Sequence, residues 1–441
     1  MTAGLDVSTS KFTAYTVDSW NPPMAYGSSA TMAAGELPDD SVVGQKRSRQ
    51  YTPSELNSFW SASSFLTKSA SPYVSEDSTQ RATVSEAFSV ARKHRSVITS
   101  KSPPPVVGFL VADENSSDSL NSVNVNVDAT LCAASIHNKT IIWSLPSSTS
   151  DHSSSKTYNA LFLPHGKQRF EIPTGSGTIS LDFSPDAPVL LSASSRGQIG
   201  LWSVEAARKM VSYSGHSSRT PVWSVAWSPA GGYFCSGSGD GVARIWRSDI
   251  PFPIRALTPD DGSVHCHMVK WHPSCQVVAV ASTMQICLFE ISWPAILFRF
   301  DCKKATAMDF SPTGYLFACA NSDSLVVWET CSGSALFRFD TFSAIVGLSW
   351  TFPSTSGLGD GGLKSVFGQG GQGHPVLVSV DESGRVKVWD KLYISKPSIC
   401  ELSLVEGLRP LHMHVTPRNL VVVAGARENT NMASLAALEG L

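Results

Sequence analysis

Short apolar runs separated by small and polar residues fill the chain from about residue 105 to residue 426. Apolar side chains alternate with small or polar ones inside many of the runs, and Gly, Ser, Asp and Asn cluster between them. Alternation over a few residues is typical of β-strands, and the clusters are typical of the turns that join them. The pattern therefore predicts an all-β domain.

The runs recur as a repeated unit. Residues 178–203 and 222–246 each contain an apolar strand that ends in Ser-Pro, a second apolar strand rich in Ser, and a third strand that ends at Trp. The Ser-Pro step favours a turn between the first strand and the second. The same layout is found, in part more weakly, at residues 123–143, 264–289, 305–328 and 345–389.

An aromatic residue closes each of the six units, and successive closing positions are separated by 59, 44, 43, 39 and 61 residues. These residues are Trp143, Trp202, Trp246, Phe289, Trp328 and Trp389. A period of about 40–45 residues with four strands per unit is that of a β-propeller blade. The two long separations contain a serine-rich insertion, residues 146–156, and a glycine-rich insertion, residues 354–373. We predict a seven-bladed WD-repeat β-propeller.

The seventh blade has to be assembled from both ends of the domain. Only two strand-like runs, residues 411–416 and 419–424, follow the sixth unit, and an apolar run at residues 106–111 precedes the first. An open stack of sheets would leave exposed edges. We therefore expect residues 106–111 to be the outermost strand of the seventh blade. The predicted propeller spans residues 105–426 and is followed by a tail, residues 427–441.

The third unit carries a set of polar residues that form a buried hydrogen-bonded network in WD-repeat proteins. These residues are His216, Ser236, Asp240 and Trp246. The other units depart from this set: the second has Arg196 where Asp is expected, the fourth closes with Phe289, and the fifth has Asp323 without a preceding Gly-His. We expect one well-networked blade in a propeller held together mainly by packing.

Composition limits the function classes. Apolar residues make up 42% of the chain, charged residues 16%, and the net charge is −2, which predicts neither a nucleic-acid site nor a membrane surface site. Nine cysteines without a CxxC pair indicate a reduced intracellular protein. Residues 1–104, rich in Ser, Thr, Ala and Pro, are expected to be mostly disordered. Their basic patch, residues 45–49, is either a nuclear import signal or plain solvated charge.

One group of residues has the composition of a metal site: His265, Cys266, His267, His272 and Cys275. Successive strand residues point to opposite faces, so His265 and His267 would share a face without Cys266, an awkward arrangement for tetrahedral zinc. We expect ordinary strand residues on a polar surface and no metal. No motif of a phosphate-binding loop, a nucleophile elbow or a metalloprotease is found, and we expect no cofactor and no catalysis.

Residues 215–246, 251–256, 264–273 and 416–425 together resemble the propeller of the WD-repeat subunit of transcription factor TFIID, the fifth TBP-associated factor, and its paralogue in SAGA. The resemblance covers residues 104–425. It implies a non-catalytic nuclear scaffold that docks histone-fold TBP-associated factors. Residues 1–102 show no pattern like the LisH motif or helical domain of that family. The alternatives are an adaptor of another complex, such as a ubiquitin-ligase substrate receptor, and an enzyme that uses a propeller's central funnel.

Overall fold

The computed structural model describes residues 106–111, 120–127, 130–136, 139–144, 167–174, 177–259, 265–291, 296–341, 343–352, 375–390, 398–403, 408–416, 419, 421–427 and 433–438. Residues 1–104 and both predicted insertions lie outside this set. The described residues contain strands and turns and no helix, so none that could cross a bilayer.

The strands are β1 (Val106–Val111), β2 (Leu120–Val125), β3 (Leu131–Ile136), β4 (Lys139–Ser144), β5 (Lys167–Ile172), β6 (Thr178–Phe183), β7 (Val189–Ser194), β8 (Ile199–Ser203), β9 (Arg208–Tyr213), β10 (Val222–Trp227), β11 (Tyr233–Ser238), β12 (Ala243–Arg247), β13 (Pro253–Leu257), β14 (Cys266–Trp271), β15 (Val277–Ser282), β16 (Ile286–Glu290), β17 (Ile296–Phe300), β18 (Ala307–Phe310), β19 (Leu316–Ala320), β20 (Ser324–Glu329), β21 (Ala335–Asp340), β22 (Ile345–Trp350), β23 (Leu377–Asp381), β24 (Arg385–Asp390), β25 (Ser398–Ser403), β26 (Leu408–Val415), β27 (Val421–Arg427) and β28 (Ala433–Leu438).

These strands form seven four-stranded antiparallel sheets. Six sheets use four consecutive strands each, and the last joins the two ends of the described chain. We number them sheet I (β2 to β5), sheet II (β6 to β9), sheet III (β10 to β13), sheet IV (β14 to β17), sheet V (β18 to β21), sheet VI (β22 to β25) and sheet VII (β26, β27, β28 and β1). The predicted all-β fold is confirmed.

The first strand of each sheet, its inner strand, lies beside the inner strand of the next sheet. Hydrogen bonds from Val225 N to Ser180 Oγ (3.2 Å) and from Trp227 N to Asp182 Oδ2 (2.7 Å) show that β6 and β10 run in the same direction. The series returns to its start, because β26 of sheet VII contacts β2 of sheet I. The inner strands therefore all begin on one face of the molecule, which we call the starting face. The turns from second to third strand lie on this face as well.

Strand β1 is the outermost strand of sheet VII, as predicted, and pairs with β28 from Val106–Leu438 to Val111–Ala433. The expected tail is wrong in one respect, because residues 433–438 form β28 between β27 and β1. This segment, Ala-Ser-Leu-Ala-Ala-Leu, lacks the β-branched and aromatic residues that mark a strand in sequence. Its assignment rests on pairing with partners on both sides.

Packing between sheets explains the apolar runs. Strands β11 and β15, the second strands of sheets III and IV, are buried along their whole length, because each face of such a strand touches a neighbouring sheet. Outermost strands such as β21 are largely exposed. Each buried cluster joins two adjacent sheets; one of them brings Ile245 of sheet III against Val280 and Phe289 of sheet IV.

The Ser-Pro steps lie where the repeat predicted, between the first and second strands of sheets II, III and V. In sheet III the backbone N–H of Gly231 donates to Ser228 O at 2.8 Å. Gly231 has a φ of +70°, and a Cβ there would lie 2.3 Å from the Asp186 carboxylate of the preceding sheet. This turn therefore requires glycine both for its backbone conformation and for the close approach.

Candidate functional site

Four residues from four segments in and next to sheet III form a continuous hydrogen-bonded chain. Ser236 lies on β11, Trp246 on β12, Asp240 in the turn between them, and His216 in the connection that precedes β10. Trp246 Nε1 donates to Ser236 Oγ at 2.8 Å, and His216 Nε2 lies 2.6 Å from the same oxygen. His216 Nδ1 lies 2.9 Å from Asp240 Oδ2. The chain ties the connection to the two central strands.

One proton arrangement satisfies this chain: Trp246 donates to Ser236, Ser236 to His216 Nε2, and His216 Nδ1–H to Asp240. Burial lowers the pKa of His216, which keeps the ring neutral, although the Asp240 hydrogen bond opposes this shift. Burial alone would raise the pKa of Asp240. The His216 hydrogen bond and the Arg244 guanidinium, which donates to Asp240 at 2.8 Å, outweigh burial and hold that pKa well below its usual range.

Ser236, His216 and Asp240 are the residue types of a catalytic triad, but they are not accessible to a substrate. Ser236 has no solvent exposure, and the His216 side chain has none either. The Ser236 oxygen already accepts the Trp246 indole N–H. A nucleophile must reach a substrate carbonyl while its base withdraws the proton, and no substrate atom can reach this oxygen in the folded chain. The arrangement is suited to rigidity.

The six closing aromatics occupy equivalent places on the third strand of sheets I to VI, and all are buried. In three sheets the indole donates to a serine on the second strand: Trp202 to Ser192 (2.8 Å), Trp246 to Ser236 and Trp389 to Ser379 (2.9 Å). Trp143 and Trp328 make no such bond among the described residues. In these two sheets the position equivalent to Ser236 holds Ala134 and Cys319, which offer no hydroxyl.

Sheet VI contains a carboxylate network that the sequence did not indicate. Asp381 accepts hydrogen bonds from the Ser343 hydroxyl (2.6 Å), from Ser383 N (3.0 Å) and from Arg385 N (2.9 Å). Burial would raise the pKa of Asp381, but these donors lower it. The local signal is Asp-x-Ser-Gly in a turn, and it occurs without the Gly-His that marks the sheet III network.

A second feature missed in sequence is a ring of polar side chains on the inner strands. Asp182 of β6 accepts Trp227 N of β10 at 2.7 Å and Asn124 Nδ2 of β2 at 3.2 Å, so one carboxylate joins three sheets. On the far side of the ring, Lys270 Nζ lies 3.3 Å from Asp309 Oδ1, which joins β14 to β18. These residues hold adjacent inner strands in register.

Burial and one neighbouring charge shift the pKa values of residues in this ring. Burial raises the pKa of Asp182 to about 6, although the Trp227 N–H opposes the shift. The charge of Asp309 raises the pKa of Lys270 against the opposite effect of burial. On β26, burial lowers the pKa of His412 to about 4 and that of His414 to about 3. At neutral pH these two histidines are neutral.

The five residues weighed as a metal site do not converge. His265 Nδ1 contacts Gly239 O (3.0 Å), and His267 Nε2 contacts Ala305 O (2.9 Å) of the neighbouring sheet. His272 is fully buried between Ser274 Oγ (2.7 Å) and Gly314 O (2.9 Å). Cys266 and Cys275 donate to the carbonyls of Gly241 and Pro273. Within the described ranges no three His, Cys, Asp or Glu side chains are grouped to hold a metal.

The polar surface that we expected for this group is wrong for His272, which is fully buried, whereas His267 is half-buried. Each imidazole reaches a backbone carbonyl on the next sheet, because the ring brings segments about 40 residues apart into contact. The cysteines Cys132, Cys235, Cys266, Cys275, Cys287, Cys302, Cys319 and Cys331 are all free.

Comparison with known proteins gives two kinds of match. The model of the WD domain, G-beta repeat family matches residues 166–203 and 208–247, which contain β5 to β8 and β9 to β12. The chain therefore contains WD repeats. The second matched segment of the WD repeats includes the whole network of His216, Ser236, Asp240 and Trp246.

Two proteins are similar in sequence to part of this chain. The chain is 30% identical over 161 residues to transcription initiation factor TFIID subunit 5 of Caenorhabditis elegans, covering 35% of this chain and 24% of that protein. It is 31% identical over 112 residues to Protein HIR1 of Aspergillus oryzae, covering 22% of this chain and 10% of that protein. The WD-repeat chain thus spans about a quarter or less of the length of these relatives.

Proposed function

We propose that the chain is a non-catalytic scaffold subunit of a nuclear RNA polymerase II transcription complex of the TFIID or SAGA type. The observation that carries this proposal is the 30% identity to TFIID subunit 5 over 161 residues, in a chain with WD repeats. The subunit holds other proteins in place on a ring of sheets whose geometry is fixed by internal hydrogen bonds.

The absence of catalysis is supported by what the polar residues already do. Ser236, His216 and Asp240 satisfy one another in the interior of sheet III. Asp182 and Asp309 are bonded to backbone N–H groups of the adjacent inner strands. Groups engaged in this way fix the structure and are not free to act as an acid and base pair on a substrate.

The partners we propose are histone-fold TBP-associated factors, which would dock on the faces or rim of the ring. A rigid ring suits this task, because docking on a preformed surface does not require the ring itself to become ordered. The net charge of −2 supports binding through protein surfaces rather than through a basic field that attracts nucleic acid.

Affinity purification of the tagged full chain from nuclear extract, followed by mass spectrometry, tests the proposal. We expect TBP-associated factors or SAGA subunits to co-purify in stoichiometric amounts. The comparison variant is Trp246→Ala, which removes a fully buried side chain from sheet III and should reduce the co-purification by destabilising the ring.

Recovery of cullin-ligase components without any TBP-associated factor would overturn the proposal in favour of a substrate receptor. Recovery of a HIR1-type protein with its own partners, and of no TBP-associated factor or SAGA subunit, would overturn it in favour of a protein of the HIR1 kind, to which the chain is also similar.

A further inference from the structure

Exposed apolar and cationic side chains form a strip across the starting face from sheet II to sheet V. Trp223 and Met284 are two of the large apolar residues that stay exposed among the described residues, at 42% and 49%. Both lie at the ends of strands that open on the starting face. The Trp223 strip consists of Arg196, Arg219, Trp223, His265, Met284 and Lys304.

The first half of the strip is continuous through backbone contacts. The turn with Arg196 abuts the loop with Arg219, since a Cβ on Gly197 would lie 2.1 Å from Ser217 O. That loop is fixed by Arg219 N donating to Ser217 Oγ at 3.3 Å. It leads to Trp223, whose Nε1 lies beside Gly239.

The second half continues into sheets IV and V. The Gly239 carbonyl contacts His265 Nδ1 at 3.0 Å, and the next residue, Cys266, pairs with Ser282. Ser282 Oγ accepts Met284 N at 3.2 Å, which orients the turn that exposes Met284. Lys304 N donates to Thr283 O at 3.2 Å, and this bond places the Lys304 backbone beside that turn.

Three exposed cations lie along this strip. Arg196, Arg219 and Lys304 are exposed, and within the described ranges none of them forms an ion pair. The carboxylate of Asp240 lies in the same region but is engaged by His216 and Arg244.

Among the described residues, the exposed acidic residues of the starting face lie beside the Lys304 end of the strip and beyond it. Asp323 and Asp340 belong to sheet V and Glu382 to sheet VI, and a further acidic residue, Asp301, precedes Lys304. The strip therefore combines an apolar centre with cations at both ends.

We propose that the Trp223 strip binds an extended acidic segment of a partner protein, with an apolar side chain of that segment seated on Trp223 and Met284. Sheets packed about 10 Å apart give a strip of roughly 30 Å, which an extended segment of about nine residues spans. A nucleic acid fits less well, because its affinity comes from many phosphate contacts and the strip offers three unpaired cations.

Fluorescence anisotropy with the purified full chain tests this proposal, whichever complex the chain joins. The probe is a fluorescein-labelled peptide of about ten residues with Glu towards both ends and Leu at the centre, long enough to span the strip. Trp223→Ala and Arg219→Glu should each weaken binding roughly tenfold or more. Replacing the peptide's Leu by Ser, or its Glu by Gln, should weaken binding to a similar extent.

Two control variants lie away from the starting face. Phe252 is 54% exposed in the turn between β12 and β13, and Arg208 is exposed at the beginning of β9. Phe252→Ala and Arg208→Glu remove the same kinds of side chain from the opposite end of the sheets and should leave the affinity unchanged. Unchanged melting temperatures of all four variants separate loss of binding from loss of fold.

Three results would overturn the proposal. Equal binding by wild type and Trp223→Ala would exclude the strip as the site. Tighter binding of a single-stranded oligonucleotide, lost in the same variants, would assign the strip to nucleic acid. Binding by an Asp260→Asn, Asp261→Asn double variant but not by wild type would show that the chain's own connection before His265, outside the described residues, occupies the strip.

Discussion

His216 Nε2 lies 2.6 Å from Ser236 Oγ, although 20 residues separate the two in the chain. This bond connects the loop entering sheet III to the second strand of that sheet. The loop and the strand thereby become one rigid unit, and the unit depends on Asp240 and Trp246 at the two ends of the same hydrogen-bonded chain.

Asp240→Ala should lower the free energy of unfolding by roughly 1–3 kcal/mol, because it leaves the His216 ring and the Val242 N–H without their acceptor. Asp323→Ala is the matched control, since Asp323 occupies the corresponding turn of sheet V and is exposed. Urea denaturation of both variants measures the difference. Equal midpoints for the two variants would show that the network does not stabilise the fold.

Trp246→Ala should cost about 3–5 kcal/mol, because it opens a cavity among fully buried residues. Trp246→Phe isolates the hydrogen bond, and we expect it to cost about 1 kcal/mol more than Trp328→Phe. Trp328 is buried at the same place in sheet V. Cys319 occupies the position at which Ser236 accepts the Trp246 indole N–H in sheet III. Equal costs in thermal denaturation would assign the role of Trp246 to packing alone.

Acid should destabilise the fold through His272. Burial lowers the pKa of His272 to about 4, against 6.5 for an unperturbed histidine. Below pH 6.5 the imidazole therefore becomes protonated in the unfolded chain while it stays neutral in the folded chain. Between pH 7 and pH 5 this residue should remove about 2 kcal/mol of stability. His272→Gln should lose less stability than wild type over that range. Parallel pH profiles in urea denaturation would contradict the buried neutral ring.

Removal of residues 1–112 should unfold or aggregate the chain, whereas removal of residues 1–99 should not. The longer deletion removes β1, which leaves β28 as an unpaired edge of sheet VII. Thermal denaturation and size-exclusion chromatography compare the two forms. A common melting temperature would show that β1 is dispensable for closing the ring.

The sequence by itself determined the repeated unit and what lies inside one unit. Strand periodicity, Ser-Pro turns and closing aromatics are local signals that persist wherever each sheet is placed. The grouping of His216, Ser236, Asp240 and Trp246 could be predicted for the same reason, since all four belong to one repeat. Strand β1 was placed correctly because an unpaired apolar run and an incomplete final sheet require each other.

Only the tertiary structure decided which residues of different sheets meet. Asp182 and Trp227 are 45 positions apart, and no feature of the sequence indicates that they form a hydrogen bond between two sheets. The strand β28 was missed since its alanines gain a strand conformation only from partners on both sides. The Trp223 strip depends on which turns share the starting face. Alternation along a strand determines to which side of the sheet a side chain points. Contacts between strands of different sheets depend on how the sheets close into a ring.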